Sequence, residues 1–481
     1  MLTDWIKYVG LPQEYWSFSK YTWALVFLWL STPTLYVIYS RYQYICRVFE
    51  RRSNIIVSEQ QNEVVIVVLG DLGHSPRMSY HARSFEKLGY QVNLCGYLES
   101  NLPDYLKTPD ISVYDVPVIK NKRNLPYILF AFMKVSSQFF DLTWLLKDVI
   151  DDGTRYVLVQ NPPSLPVLLI IGLIKKFWAP HIQIIVDWHN LNWSILNLKY
   201  KNENNKMVRF MKMYEKYCAR KVADFNITVS QTLKEYLIET FQLKKDKVLT
   251  LYDRPSNIFS PLDSREQLKD IVTNNKLVFG DINYNQNNDR ILITSTSFTQ
   301  DEDFTILVEA LNILDVQLKN SSSPKRIIMI VTGKGPMQED FHRMLDSYPW
   351  KKVIIKNLWL PIADYPKILK IADLGISLHY SSSGLDLPMK IVDLFGSGVP
   401  VITMNFTGIS ELVKDGINGL IMKNNTDASE MADKISSLLF RDVKRYVTLK
   451  EGALLESQRH WNDEWDEKLK PLVCINNHAH L

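Results

Sequence analysis

The sequence predicts an α/β chain of two doubly wound parallel sheets facing each other across a cleft, with one membrane-spanning helix ahead of them. Three observations predict it. From residue 63 to 257, continuous apolar runs such as Val64-Val65-Ile66-Val67-Val68-Leu69 alternate with helical patterns, as strands buried on both faces of a parallel sheet do. After a polar, Asn-rich stretch at 258–288, read as a solvated insert or linker, the alternation restarts and runs from 289 to 446. No shorter repeat interrupts it, so two Rossmann-like domains follow. Third, no charged residue lies between Lys20 and Arg41.

Twenty residues of helix span about 30 Å, the thickness of a bilayer core, so 21–40 reads as a transmembrane helix. Tyr21, Trp23, Tyr36 and Tyr39 stand near its ends, where interfacial anchors sit. It is too long, and too poor in small residues at its end, for a cleaved signal peptide. Arg41, Arg47, Arg51 and Arg52 follow it, against Lys7 and Lys20 before it. That excess places 1–20 in the lumen and everything from the connector 41–62 onward in the cytosol. The 481 residues carry a formal charge of only +4, with basic groups scattered rather than striped, which excludes a nucleic-acid binder. Cys46, Cys95, Cys218 and Cys474 lie far apart without paired spacing. This fits a reducing compartment rather than a disulfide framework or zinc site.

In the first domain, 63–257, strand 64–69 runs into Gly70-Asp71-Leu72-Gly73-His74-Ser75-Pro76-Arg77, then a helix to Leu88 and a strand at 91–96. A Gly-rich turn at the carboxyl end of a first strand is where doubly wound sheets place ligands. Asp71, Gly73, His74, Arg77 and His81 are therefore site candidates. Strands at 156–160 and 182–186 end on Asn161-Pro162-Pro163-Ser164 and Asp187-Trp188-His189-Asn190, adding Asn161, Asp187, Trp188, His189 and Asn190. The run 165–174 is too short to span a bilayer and reads as a core helix, with a helix that dips into the membrane as the alternative. The greasy segment 125–140, beside Lys120, Lys122 and Arg123, suits either a core helix or a surface touching lipid headgroups. A helix at 207–223 and a strand at 225–229 continue the alternation, and 249–255 crosses to the second domain.

There, strand 290–295 exits into Thr296-Ser297-Phe298-Thr299-Gln300-Asp301-Glu302-Asp303, and strand 326–332 into Gly333-Lys334-Gly335-Pro336. The run Ser381-Ser382-Ser383-Gly384-Leu385-Asp386-Leu387-Pro388-Met389-Lys390 is a small-residue loop entering a helix opened by Pro388. Free amides and the helix dipole make such an entry an anion site. Lys390 in the first turn suits a diphosphate, and Asp393 suits sugar hydroxyls. The tail 447–481 carries Trp461 and Trp465 at helical spacing and is expected to pack back on the first domain.

The segments 68–78, 160–164, 187–190, 295–303, 332–336 and 381–390 are together similar to segments of the chitobiosyldiphosphodolichol β-mannosyltransferases. The resemblance covers nearly everything from 63 to about 425 and includes the N-terminal anchor. It implies a GT-B fold in a single-pass endoplasmic-reticulum membrane enzyme whose catalytic domain is cytosolic. The implied reaction moves mannose from GDP-mannose to the terminal GlcNAc of GlcNAc2-diphosphodolichol, forming a β1,4 bond. Membrane lipid is an implied partner, and other glycosyltransferases of the pathway are admissible ones. On this reading Lys334, Gly335, Ser382, Ser383, Gly384, Leu385, Lys390 and Asp393 bind the donor. Gly73, Arg77, His81, Asn161, Trp188 and Asn190 bind the acceptor. The chain departs from the wider GT-B pattern in two places. Acids occupy 301–303 where many relatives carry Arg and Lys, and Asp386 is displaced from the first of the usual paired Glu positions while Asp393 occupies the second.

An α-linked donor and a β-linked product require inversion, hence a general base near the acceptor hydroxyl. Asp71, His74, Asp187, His189 and Asp386 are the candidates, and the sequence does not choose among them. The helix entry and lysines can stabilise the departing diphosphate. No cofactor is expected to be tightly bound. No metal site is assigned, and Mg²⁺ is admissible but not indicated, because Asp301-Glu302-Asp303 reads as a helix cap. Two alternatives stay open: a catalytically silent GT-B subunit that anchors a partner glycosyltransferase, and a retaining α-mannosyltransferase using the same donor.

Overall fold

The computed structural model describes residues 62–119, 126–299, 301–321, 324–361 and 363–475. The expected membrane helix 21–40, nearly all of the connector, and the basic cluster Lys120, Lys122 and Arg123 lie outside the described residues. Among those described, no helix is long and apolar enough to cross a membrane.

Seven strands, β1 (Glu63–Asp71), β2 (Gln91–Tyr97), β3 (Ile111–Asp115), β4 (Thr154–Asn161), β5 (Gln183–Trp188), β6 (Phe225–Thr228) and β7 (Val248–Thr250), form the first sheet. All pairings are parallel, in the order β3-β2-β1-β4-β5-β6-β7. The order reverses beside β1, and such reversals open a crevice at the carboxyl ends of the strands. β1 is apolar at every position from Val64 to Val68, and all five are fully buried. Val65 and Val67 face helices Val167–Phe177 and Lys206–Lys221, while Val64, Ile66 and Val68 face helix Pro76–Lys87. A strand covered on both sides cannot alternate polar and apolar residues, which is why its sequence reads as one continuous run.

The second sheet has six parallel strands: β8 (Asp289–Thr296), β9 (Arg326–Gly333), β10 (Val353–Leu358), β11 (Leu374–Ser377), β12 (Val401–Thr403) and β13 (Gly419–Ile421). Their order is β10-β9-β8-β11-β12-β13, reversing beside β8. Helix Met389–Gly396 follows β11 as expected, with Pro388 at its N-cap and no side chain capping its first amides.

Two expectations need correction. The stretch 258–288 is not a solvated linker. It folds into helices Arg265–Asn274 and Lys276–Phe279, which bury Leu268, Ile271, Val278 and Phe279 in the second domain's core. Leu268 and Ile271, one helical turn apart, and Val278 and Phe279 dock it together with Phe259, despite the asparagines around them. The tail is also divided differently. Helix Val443–Ser457 packs with the second domain through Leu449 and Ala453, and only the helices Trp461–Lys468 and Lys470–Ile475 return to the first. There Trp461, Trp465, Leu469 and Val473 fill the core beside Phe85 and Tyr156.

Candidate active site

The carboxyl end of β5 turns the first domain toward the cleft. Asp187 has no exposed surface. Arg77 Nε donates to its Oδ2 at 2.7 Å and Arg77 Nη2 to its Oδ1 at 3.0 Å, while Arg77 Nη1 donates to Asp253 Oδ1 at 2.8 Å. Trp465 Nε1 donates to His81 Nδ1 at 3.1 Å. The His81 proton therefore sits on Nε2, 3.2 Å from Asp187 Oδ2. Burial pushes the His81 pKa down, so it stays neutral. Burial opposes the Asp187 charge too, but Arg77 and His189 overcome it and hold the carboxyl well below its usual range. His189, partly exposed, places Nε2 3.2 Å from Asp187 Oδ2. Arg77, His81 and Asp187, expected at the mouth of the site, are instead buried and bonded to one another as an ionic frame, and His189 is its partly exposed member.

Two other expected contacts are also structural. Trp188 is fully buried, with its indole N–H donating to Asn226 Oδ1 at 2.9 Å. Asn161 is buried as well and donates to Glu215 Oε1 at 3.1 Å. Glu215 accepts in turn from the amides of Asn192 and Trp193 at 2.8 and 3.1 Å, fixing the start of helix Asn192–Tyr200. Burial pushes the Glu215 pKa up to about 7.

At the exit of β1, His74 Nδ1 lies 2.7 Å from Asp71 Oδ2, and His74 is half exposed. Asp71 also accepts from the amides of Gly73, Glu99 and Ser100. Partial burial raises its pKa, but the hydrogen bonds from Ser100 and His74 prevail and lower it. This pair leans on the loop after β2, two strands away from β5.

The second domain presents cations. His379, two residues past β11, has Nδ1 3.0 Å from Asp301 Oδ2 and Nε2 3.4 Å from Asp386 Oδ2. Burial lowers its pKa, but the two carboxylates outweigh that and bring it up to about 9. It is an imidazolium at neutral pH. Asp386, also bonded by the Ser381 hydroxyl, holds His379 and is not a free base. Lys390 Nζ donates to Glu302 Oε1 at 2.6 Å. Glu302 is itself buried and accepts from Thr296 Oγ1 at 2.5 Å and the Ser297 amide at 3.0 Å. Asp303 caps helix Phe304–Asn320. Lys334 Nζ stands 5.2 Å from the centroid of the Trp359 ring. Gly335 lies so close to β8's exit that a Cβ would sit 1.7 Å from the Ser297 carbonyl oxygen. Asp393 accepts from the Tyr365 hydroxyl at 3.3 Å, and burial, reinforced by the Asp253 charge, pushes its pKa up to about 8.

The loop ahead of helix Met389–Gly396 joins the halves. Gly384 adopts φ +73°, which glycine takes without strain. Its amide is held by Ser381 Oγ at 2.8 Å, and Ser383 Oγ accepts from the Leu385 amide at 3.2 Å. Ser382 Oγ accepts from Asn190 Nδ2 at 3.2 Å and lies 3.1 Å from Ser194 Oγ. Leu385 crosses to the first domain, where its carbonyl accepts from the Ser230 hydroxyl and its side chain joins the first core. Glu411 crosses too, accepting from the amides of Gln231 and Thr232 at 2.6 Å each and from the Tyr252 hydroxyl at 2.9 Å. Sequence reasoning did not single out His379 or Tyr365, and it read Glu302 as part of an exposed helix cap, whereas Glu302 is buried against Lys390 and Asp303 alone caps the helix. The strand-exit rule that found His189 would have found His379, had the short β11 been followed two residues further.

The description "Glycosyl transferases group 1" matches residues 281–453, the second domain. A chitobiosyldiphosphodolichol beta-mannosyltransferase of Debaryomyces hansenii is 46% identical over 472 residues, 97% of each chain. One from Mus musculus is 33% identical over 440 residues, 85% of this chain and 89% of its own. Among solved structures, Anabaena Alr3699/HepE in complex with UDP and glucose superposes with a TM-score of 0.60 at 14% identity, over 85% of this chain and 98% of that one. That likeness shows the fold, a GT-B pair of Rossmann-like sheets.

Proposed function

The chain belongs to the chitobiosyldiphosphodolichol beta-mannosyltransferases, and we propose that it takes mannose from GDP-mannose and inverts the anomeric centre as it transfers it. It is a glycosyltransferase that moves mannose onto the dolichol-linked chitobiose of N-glycan precursor synthesis. The observation that carries this reading is the 46% identity to a full-length relative of that name, extending across 97% of both chains. The geometry supports a division of labour. His189 is the general base: Asp187 fixes its Nε2–H, leaving Nδ1 to take the proton from the GlcNAc hydroxyl. Of the two imidazole–carboxylate pairs whose histidine reaches solvent on the first domain, His74–Asp71 and His189–Asp187, the latter adjoins Asn190 and therefore Ser382, where the two domains touch.

As the acceptor oxygen bonds to the anomeric carbon, the opposite bond to phosphate breaks and its electron pair leaves with GDP. The developing charge meets Lys390, Lys334 and the uncapped amides at the start of helix Met389–Gly396, while His379 holds Asp301 and Asp386 neutralised beside them. Asp393, protonated at neutral pH, can both donate to and accept from ribose hydroxyls. These groups are the chain's own, so transfer should need no tightly bound cofactor. The test is transfer of radiolabel from GDP-mannose to a GlcNAc2-diphospho-lipid, with Mg²⁺ and, separately, with EDTA. Transfer equal to that from UDP-glucose, or none in either condition, would overturn the donor assignment, and transfer lost only with EDTA would show a metal requirement.

We place the two domains on the cytosolic face of the endoplasmic reticulum, where a nucleotide sugar is supplied. Asn320, Asn405 and Asn424 head glycosylation acceptor patterns and are exposed, so they would be modified in the lumen. All three are expected to be bare in cells, and a shift on endoglycosidase treatment mapped to any of them would reverse the orientation.

A further inference from the structure

Glu215 is a buried carboxyl that the transfer itself does not use. It projects from the middle of helix Lys206–Lys221 and has no exposed surface. A carboxyl so placed ordinarily has a cation beside it, and here the neighbouring lysines turn elsewhere. Lys212 pairs with Glu203 and stands over the Trp193 ring, and Lys216 Nζ donates to the Thr240 carbonyl at 2.9 Å. Three N–H groups hold Glu215 instead. Asn161 Nδ2 at 3.1 Å and the Asn192 amide at 2.8 Å donate to Oε1, and the Trp193 amide at 3.1 Å donates to Oε2.

Those three bonds enclose the loop that carries His189. Asn161 ends β4. Its carbonyl accepts from the His189 amide at 2.8 Å, and its Nδ2 also donates to the Asn190 carbonyl at 3.3 Å. Asn192 and Trp193 open the helix that follows the loop. One carboxyl therefore ties the strand beside β5 to the helix after it, with His189, Asn190 and Leu191 between. The other side of this loop meets the donor half, where Asn190 and Ser194 reach Ser382.

The ties depend on charge. Among the three partners of Glu215, only Asn161 Oδ1, buried and unpaired, can accept a proton from it. Turning that oxygen toward the carboxyl would carry Nδ2 away from Asn190, so the loop keeps all its bonds only while Glu215 is ionised. The titratable groups that face Glu215 are Tyr214 and Cys218 on its own helix and Tyr236 on helix Gln231–Glu239. Burial raises all three, and they stay uncharged near neutrality. Glu215, raised to about 7 by burial, is the member of this cluster whose charge changes there.

We propose that Glu215 is a positioning residue for the transfer, holding the His189 loop against the donor loop at Ser382 through Asn161 and the first amides of helix Asn192–Tyr200. The inference rests on His189 as the base of the proposed function.

Steady-state transfer from GDP-mannose by the purified full chain, by Glu215→Gln and by His189→Asn, over about pH 5 to 8, tests it. Glutamine keeps the size of the side chain but turns an amino group toward N–H donors. Its kcat should fall by about 10- to 100-fold, the cost of a misplaced reacting group. KM for GDP-mannose should be unchanged, because the donor groups lie on the second domain. Wild-type kcat should fall in acid with a limiting slope of about two, one proton on His189 and one on Glu215, and in Glu215→Gln the slope should be about one. A carboxylate that only stabilised the fold would lower the thermal transition and leave the slope as it was. Should Glu215→Gln lose its thermal transition, Asn161→Ala decides, since it cuts the tie to Asn190 and keeps the carboxylate. Its kcat should fall with KM for GDP-mannose unchanged. Wild-type kcat in the folded variant, or the same acid slope with and without Glu215, would overturn the positioning role alone. A His189→Asn variant as active as the wild type would overturn the base assignment, and the positioning role with it.

Discussion

His189 and His74 look alike in sequence, each following a strand and each near an aspartate, and only the three-dimensional neighbours separate them. Asp187 is buried and ionised by virtue of Arg77, so it can orient His189 and stabilise the imidazolium that forms there. His74 is paired with an aspartate as well, but two strands from the contact between domains. Replacing His189 with Asn should therefore lower kcat by about 10²–10⁴, the usual worth of a positioned base, with the thermal transition unchanged. His74→Asn should cost less than about tenfold on the same scale. Steady-state kinetics on the two purified variants decides, and the reverse ranking would move the base to β1. The residue types at the site were legible because strand exits concentrate polar side chains. Their roles were not legible. Nothing in Arg77 or His81 as letters shows that a helix from the far end of the chain covers them, with Trp465 donating to His81, nor in Trp188 that it turns into the opposite core against Phe241.

At the level of elements, the second domain's donor end is built by β11, its exit and helix Met389–Gly396. The exit holds His379 between Asp301 and Asp386, and the raised pKa, about 9, gives the element a pH dependence whose sign is fixed. A histidine raised on folding contributes stability that is complete below its unfolded value of about 6.5 and is lost as pH rises through about 9. Once His379 loses its proton, Asp301 and Asp386 are left uncompensated beside the donor loop, so GDP binding measured by calorimetry should weaken between about pH 8 and pH 10 by repulsion between like charges. In His379→Asn it should be weaker throughout and flat over that interval. A wild-type profile as flat as the variant's would remove His379 from the donor site. Elements with continuous apolar runs, such as β1, β4 and β9, were readable from composition alone. Those carried by few residues were not. β3 and β7 are short edge strands, and Leu268, Ile271, Val278 and Phe279 sit among enough asparagines to look like linker, although they dock two helices on the core.

For the whole molecule, the loops that meet across the cleft do so mainly through polar contacts, Ser382 against Asn190 and Ser194, the Leu385 carbonyl against Ser230, and Glu411 on the amides of Gln231 and Thr232, with the Leu385 side chain and the returning tail helices as apolar ties. Interfaces of this kind leave domains free to move relative to each other as a default, and a cleft that closes on two substrates excludes water from the transfer. The doubling of the α/β alternation made the two-domain plan visible in the sequence. The partner of each loop across the cleft could not be read there, since such contacts depend on how the domains meet rather than on local pattern. The central claim is that this cleft brings a base on one domain to the face of the sugar opposite a leaving group held by the other. Its most direct test is the anomeric configuration of the product, read by NMR coupling and β-mannosidase digestion after transfer from GDP-mannose. The account predicts a β-linked mannose released quantitatively by β-mannosidase. An α-linked product would contradict it.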